Sequence, residues 1–124
     1  KAGVYAERIA SLPLNAIVGV VGEGQVDITG DVTTEPNVAV SVSTLIVAGV
    51  TVRNSDNLGV ECSSTGTLRL DDVSIRSNTG VGLESDTCDT VLNRVVVRGN
   101  LAGGLRVIEG TLEVANSVIA ANGG

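Results

Sequence analysis

The chain of 124 residues contains no histidine, phenylalanine, tryptophan or methionine, and it has only one tyrosine and one lysine. Histidine is the most common general base and a frequent metal ligand, so its absence removes a side chain that many active sites use. Aromatic rings supply much of the volume of a wide globular core, and this chain has almost none. These absences favour a thin aliphatic core and argue against, without excluding, an enzyme.

The balance of charge also excludes some partners. Fourteen acidic and eight basic residues give a formal net charge of −6. Such a chain is repelled by nucleic acid and by anionic membrane surfaces. No apolar run reaches the length of a transmembrane helix. We therefore expect no nucleic-acid partner and no membrane insertion.

The residues that are present form a repeat. Residues 70–78, 92–100 and 114–122 align at offsets of 22, with apolar residues in the same columns, and residues 47–54 form an earlier copy. A fixed period in the twenties is typical of solenoids. Short apolar segments separated by Gly, Asn, Asp and Ser predict three strands per coil and no helix.

The sequence therefore predicts an all-β fold, a right-handed parallel β-helix (solenoid) of about five coils with a period of 22–23 residues. We expect residues 1–124 to form a single β-helix domain that is a piece of a longer solenoid. Residues 1–43 lack the period and are interpreted as irregular opening coils, whereas residues 44–124 are the regular repeats.

Alternation along the strands predicts which side chains point inward. In one coil the predicted inward residues are Leu68, Leu70, Val73, Ile75, Leu83 and Ser85. A column of Asn78, Asn100 and Asn122 falls at a corner, where asparagine tolerates the left-handed conformation and its amide can bond to the same amide one coil later. A leucine-rich repeat also fits part of the pattern, but it requires leucine where this chain has Gly80 and Ala102.

Several short motifs carry a resemblance to a known family. Gly3, Tyr5 and Glu7 resemble a G-x-Y-x-E opening, residues 49–54 resemble the phrase G-[LV]-T-[IV]-x-N, and residues 100–105 are similar to an N-x-x-G-G-[LI] corner. Together they resemble the right-handed β-helix proteins of the pectin-lyase-like superfamily and the secreted bacterial β-helix repeat proteins.

The resemblance implies a secreted or cell-surface location and an association with carbohydrate. Polygalacturonase-like members carry three separated aspartates, a Gly-His-Gly and an Arg-x-Lys. In this chain only Asp71 and Asp72 resemble a part of that set, namely a pair of its aspartates. No catalytic residue is therefore carried over. The function we expect is a non-enzymatic structural or binding module of the adhesin or stalk type. The alternative is a fragment of a polysaccharide lyase or glycoside hydrolase whose catalytic coils lie outside this chain.

The candidate ligand-binding residues are Arg53, Arg76 and Arg98, which follow one another at 23 and 22 residues and face outward. Guanidinium groups stacked in this way repel one another, and they suit the carboxylates or sulfates of an acidic polysaccharide. The alternative is that these arginines only keep the strands soluble and pair with acidic residues in loops. No cofactor is expected, although Glu61 and Glu84 could supply half of a calcium site together with Asp86 or Asp89.

Cys62 and Cys88 are 26 residues apart, which places them on neighbouring coils. A disulfide and a pair of inert thiols are both compatible with this spacing, and a disulfide would indicate an oxidising compartment. Solenoids need polar caps, and neither end of this sequence has one, so we also expect end-to-end self-association.

Overall fold

The computed structural model describes residues 3–5, 17–22, 26–29 and 36–123. The regular secondary structure in these residues consists of strands, without a helix. The described residues therefore have no helix that could cross a membrane. The strands are β1 (Gly3–Tyr5), β2 (Ile17–Val21), β3 (Val26–Ile28), β4 (Val38–Ser41), β5 (Thr44–Ala48), β6 (Thr51–Arg53), β7 (Val60–Ser63), β8 (Thr67–Arg76), β9 (Val81–Ser85), β10 (Cys88–Arg98), β11 (Gly103–Val107), β12 (Gly110–Ala115) and β13 (Val118–Ala120).

All the strand pairs are parallel, and they stack into a three-sided β-solenoid. Side A consists of β2, β5, β12 and the first halves of β8 and β10. Side B consists of β1, β3, β6, β13 and the second halves of β8 and β10, and side C consists of β4, β7, β9 and β11. The predicted solenoid fold is thus confirmed.

The number of turns is slightly smaller than predicted. Side C contains four strands, so the described residues form about four turns instead of five. Residues 1–43, which have no regular period, contribute β1 to β4 to the described structure. Much of this opening region lies outside the described residues.

The 22-residue offset sets the register of the regular coils. Leu92 on β10 pairs with Leu70 on β8 and with Val114 on β12, as the repeat predicts. The six residues predicted to point inward in one coil are all at most 2% exposed. Complete burial of one such aliphatic side chain is worth about 1.5–3 kcal/mol, so stacked aliphatic columns are the main source of stability.

Residues with positive φ form the corners. Between sides A and B the corner column is Gly49, Asp72, Arg94 and Asn116. Between sides B and C it is Asn54, Ser77, Gly99 and Ala121, and the corner between sides C and A includes Val42, Thr65 and Thr87. One left-handed residue reverses the direction of side-chain alternation, and this lets β8 and β10 continue from side A onto side B.

The asparagine ladder is present at the corner between sides B and C. Asn78 Nδ2 donates to Asn100 Oδ1 at 2.8 Å, and Asn100 Nδ2 donates to Asn122 Oδ1 at 2.9 Å. A glycine column formed by Gly59, Gly82 and Gly104 makes room for these amides, because a Cβ on Gly82 would lie 2.6 Å from Asn100 Nδ2. The corner motif therefore needs both residue types, asparagine for the ladder and glycine beside it.

The edge of the solenoid formed by β11, β12 and β13 has no pairing strand beyond it in the described part of the chain. Val107, Val114 and Ile119 continue core columns but are 41%, 46% and 41% exposed, whereas Leu92 and Val97 one coil earlier are fully buried. The end-to-end self-association that the sequence suggests would involve edges of this kind, and it stays a prediction.

Candidate ligand-binding face

Side B presents two outward columns that run from coil to coil. The first contains Thr51, Ser74, Val96 and Val118, and the second contains Arg53, Arg76, Arg98 and Ala120. Paired residues on adjacent strands are about 4.8 Å apart, so the three arginines emerge one above the other. The register brings the three predicted ligand-binding residues together on one face.

Arg53 differs from the other two arginines in its surroundings. Its Nε donates to Asp27 Oδ2 at 2.8 Å, and the Arg53 side chain is only 24% exposed. Asp27 is 4% exposed, and its other carboxylate oxygen has no hydrogen-bond partner in the described structure. Arg53 is therefore held by a buried carboxylate that depends on it, so its charge is compensated within the protein.

Arg76 and Arg98 carry the uncompensated charge of the column. Neither guanidinium makes an ion pair or a hydrogen bond with any residue in the described ranges. Arg98 is exposed and Arg76 is half-buried. Two like charges about one strand spacing apart repel each other by about 1 kcal/mol in water, and an anionic ligand would relieve this repulsion.

A groove with a volume of about 430 Å³ lies beside the arginine column, at the corner between sides A and B. Its lining consists of Gly22, Val26, Gly49, Val50, Thr51, Asp72, Val73, Ser74, Arg94 and Val96. The sequence does not reveal this groove, because its walls come from residues on four different coils. The only local signal is the corner at Asp71 and Asp72.

The charged side chains at the groove differ in whether they have an ion-pair partner. Arg94 forms an ion pair with Asp71, whose carboxylate also accepts a hydrogen bond from Asn93 Nδ2 at 3.4 Å. Asp72, which is exposed, has no such partner among the residues that the structure describes. The groove therefore combines one uncompensated carboxylate with the hydroxyl groups of Thr51 and Ser74.

A column of Glu61, Glu84 and Arg106 lies on side C, away from the arginine column of side B. Glu61 is in register with Glu84, and Glu84 is in register with Arg106, whose Nη1 lies 3.4 Å from Glu84 Oε2. Asp86 and Asp89 accept hydrogen bonds from threonine side chains. Residues 36–123 and the shorter described segments contain no group of three or more acidic or cysteine side chains placed to hold a metal ion.

Cys62 and Cys88 form a disulfide inside the solenoid. Their Cα atoms are 6.1 Å apart, and the two residues are 0% and 2% exposed. The bond joins β7 to the beginning of β10, which lies in the next coil. It therefore links two successive turns through the core.

Comparisons with protein-family models, with curated proteins and with solved structures found no match.

Proposed function

We propose that this chain is an extracellular structural or binding module that holds acidic polysaccharide on side B and performs no chemistry on it. The observation that carries the proposal is the pair Arg76 and Arg98, which are one coil apart and have no partner in the described structure. Arg53, the third residue of the predicted site, contributes to the fold through Asp27 instead.

The chemistry of this pair suits a polyanion. Guanidinium groups bind carboxylates and sulfates through two parallel hydrogen bonds, and two such groups on adjacent coils can hold two anionic groups of one polymer. The protein as a whole carries a net charge of −6, so a basic pair on one side also restricts where a polyanion can approach.

The cellular location is part of the same proposal. A disulfide that is buried in the core is typical of proteins from oxidising compartments, which supports a secreted or cell-surface protein. The solenoid fold and the motifs at residues 49–54 and 100–105 favour a relationship with the pectin-lyase-like superfamily. Many members of that group act on or bind polysaccharides outside the cell.

Binding can be tested by titration calorimetry with neutral, carboxylated and sulfated polysaccharides, with and without calcium, at two salt concentrations. We expect binding to the acidic polymers only, and weaker binding at high salt. The double variant Arg76→Gln/Arg98→Gln should weaken binding at least about tenfold. The matched control is Arg69→Gln, which removes an exposed arginine from side A.

The same titrations distinguish the alternatives. Equal affinity of the wild type and the double variant would overturn the assignment of side B. Release of shortened or unsaturated sugars during the incubation would contradict the non-enzymatic proposal and favour the polysaccharide lyase or hydrolase alternative. The absence of binding to every polymer would leave a purely structural solenoid.

A further inference from the structure

We propose that side B selects a polysaccharide in which neutral and acidic residues alternate, with the neutral residue in the groove and the acidic residue on Arg76 and Arg98. This inference rests on the proposed function, because it assigns the ligand of the same face. It adds the groove to the binding site, whereas the proposed function involves only the arginines.

The geometry of β8 places the two parts of this site on one strand. Asp72, Ser74 and Arg76 succeed one another at two-residue steps on the outer surface, and Ser74 and Arg76 are about 6.6 Å apart along the strand. The distance from the groove wall at Asp72 to the arginine is at most about 13 Å. Two linked pyranose rings laid along the strand span a comparable length.

The charges of the two parts are opposite. The only uncompensated charge among the described residues of the groove lining is the carboxylate of Asp72, because Arg94 is paired with Asp71. A carboxylate and two hydroxyl groups accept hydrogen bonds from sugar hydroxyl and amide groups, and the carboxylate of Asp72 repels a second carboxylate. The groove is therefore suited to a neutral sugar, and the neighbouring arginines are suited to an acidic one.

An apolar strip completes the groove. Val96 is 37% exposed, and it follows Thr51 and Ser74 in the same outward column. Gly49 and Gly22 form part of the groove wall and pack closely, because a Cβ added to Gly49 would lie 2.8 Å from the carbonyl oxygen of Gly22. A pyranose ring can therefore rest its C–H face on Val96 while its hydroxyl groups meet Ser74 and Asp72, a division between apolar and polar contacts that is common in ligand sites.

The expected order of ligand affinities is the opposite of the order that the net charge of the ligands alone would give. Oligosaccharides of hyaluronan alternate glucuronic acid with N-acetylglucosamine, and oligogalacturonates of equal length carry a carboxylate on every residue. We expect the hyaluronan oligosaccharide to bind at least about tenfold more tightly in titration calorimetry, although it has half the charge. A neutral chitin oligosaccharide of the same length should bind more weakly than either.

The variant Asp72→Asn tests the groove directly. Asparagine adopts positive φ readily, so the corner at residue 72, where φ is 56°, should keep its conformation. Removal of the carboxylate should tighten oligogalacturonate binding about tenfold, with little change for hyaluronan, so that the preference is lost. The control Asp56→Asn removes an exposed carboxylate from the corner between sides B and C and should leave the preference unchanged.

The outcomes separate this inference from the proposed function. If both acidic oligosaccharides bind equally and both depend on Arg76 and Arg98, the proposed function stands and the alternating ligand is wrong. If neither binds, the alternating ligand is wrong, and the proposed function stands only if a sulfated polysaccharide binds through Arg76 and Arg98. If hyaluronan is preferred but Asp72→Asn keeps that preference, the assignment of the neutral residue to the groove is wrong.

Discussion

Asn78 Nδ2 donates a hydrogen bond to Asn100 Oδ1 at 2.8 Å, and the two residues are 1% and 0% exposed. The same Asn100 oxygen accepts a hydrogen bond from the backbone nitrogen of Asn78, and Asn100 Nδ2 donates to Ile75 O at 3.2 Å. Asn100 thus satisfies backbone and side-chain groups of two coils at a buried corner, where water is excluded.

Replacement of Asn100 by alanine should therefore be costly. The backbone and side-chain nitrogens of Asn78 lose the oxygen to which both donate, and the carbonyl oxygen of Ile75 loses a hydrogen-bond donor. We therefore expect the free energy of unfolding to fall by about 2–4 kcal/mol. Urea denaturation followed by circular dichroism measures this change. The control Asn93→Ala, on β10 in a half-buried position, should cost less than about 1 kcal/mol. Equal effects of the two variants would contradict a special role for the ladder.

The glycine column can be tested at Gly82. An added Cβ would lie 2.6 Å from Asn100 Nδ2 and 2.9 Å from the carbonyl oxygen of Gly104, a rigid backbone atom. We expect Gly82→Ala to lower the free energy of unfolding by about 1–3 kcal/mol through overpacking. Gly19→Ala is the matched control, because nothing lies within 4 Å of its added Cβ. A thermal melt in which both variants match the wild type would show that the corner tolerates the extra carbon.

In the coil that contains Asn37 and Ser55, the hydrogen bonds of the asparagine ladder are made by a different residue. Ser55 occupies the asparagine column, and Asn37 occupies the glycine column. Asn37 Nδ2 donates to Ile28 O at 3.4 Å and to Arg53 O at 2.9 Å. Ile28 is in register with Val52, the residue whose carbonyl accepts from Asn78 Nδ2, so Asn37 supplies the amide that residue 55 does not.

The exchange of these two residues should restore the regular motif. Asn37→Gly alone removes a buried amide donor, and Ser55→Asn alone places two amides in one space, so each should cost about 1–3 kcal/mol in urea denaturation. In the double variant an asparagine at position 55 can fill the space that Asn37 leaves, and we expect a clear recovery of stability. Additive losses in the double variant would refute the equivalence of the two positions.

A pair of hydroxyl groups in the core forms another coupled unit. Ser85 Oγ and Thr90 Oγ1 are 3.0 Å apart, and both residues are fully buried. Ser85→Ala and Thr90→Val should each cost about 1–3 kcal/mol, because each leaves one buried hydroxyl unpaired. The double variant should cost less than the sum of the two, with a coupling energy of about 1 kcal/mol in a denaturation cycle. A coupling energy near zero would show that the hydroxyl groups do not depend on each other.

The regular part of the solenoid could be predicted because every coil gives a column the same environment. Leu70, Leu92 and Val114 have the same side and register because the chain returns to the same position after 22 residues. The alignment of Arg76 with Arg98 follows from the same period. For residues in the repeat, sequence offset alone therefore predicts spatial neighbours.

The partners of these residues could not be predicted in the same way. Asp27 neutralises Arg53, but it lies in the opening region, outside the 22-residue repeat. Asp27 is in register with Thr51 at an offset of 24 residues, and no sequence motif indicates this offset. The groove is another such case, because it depends on how the corner at Asp72 stacks on Gly49. Contacts made diagonally between coils depend on side-chain length and corner geometry, which the repeat pattern does not contain.

The disulfide gives the last prediction. Cys62 and Cys88 close a loop of 26 residues and replace a noncovalent contact between successive coils by a covalent bond. The double variant Cys62→Ala/Cys88→Ala should lose about 2–4 kcal/mol of unfolding free energy in urea, chiefly because the unfolded chain gains freedom. Addition of a reductant should lower the urea midpoint of the wild type and leave that of the double variant unchanged. If the untreated wild type titrates as two free thiols after unfolding in urea, the disulfide is absent, and the support that it gives to an oxidising compartment is lost.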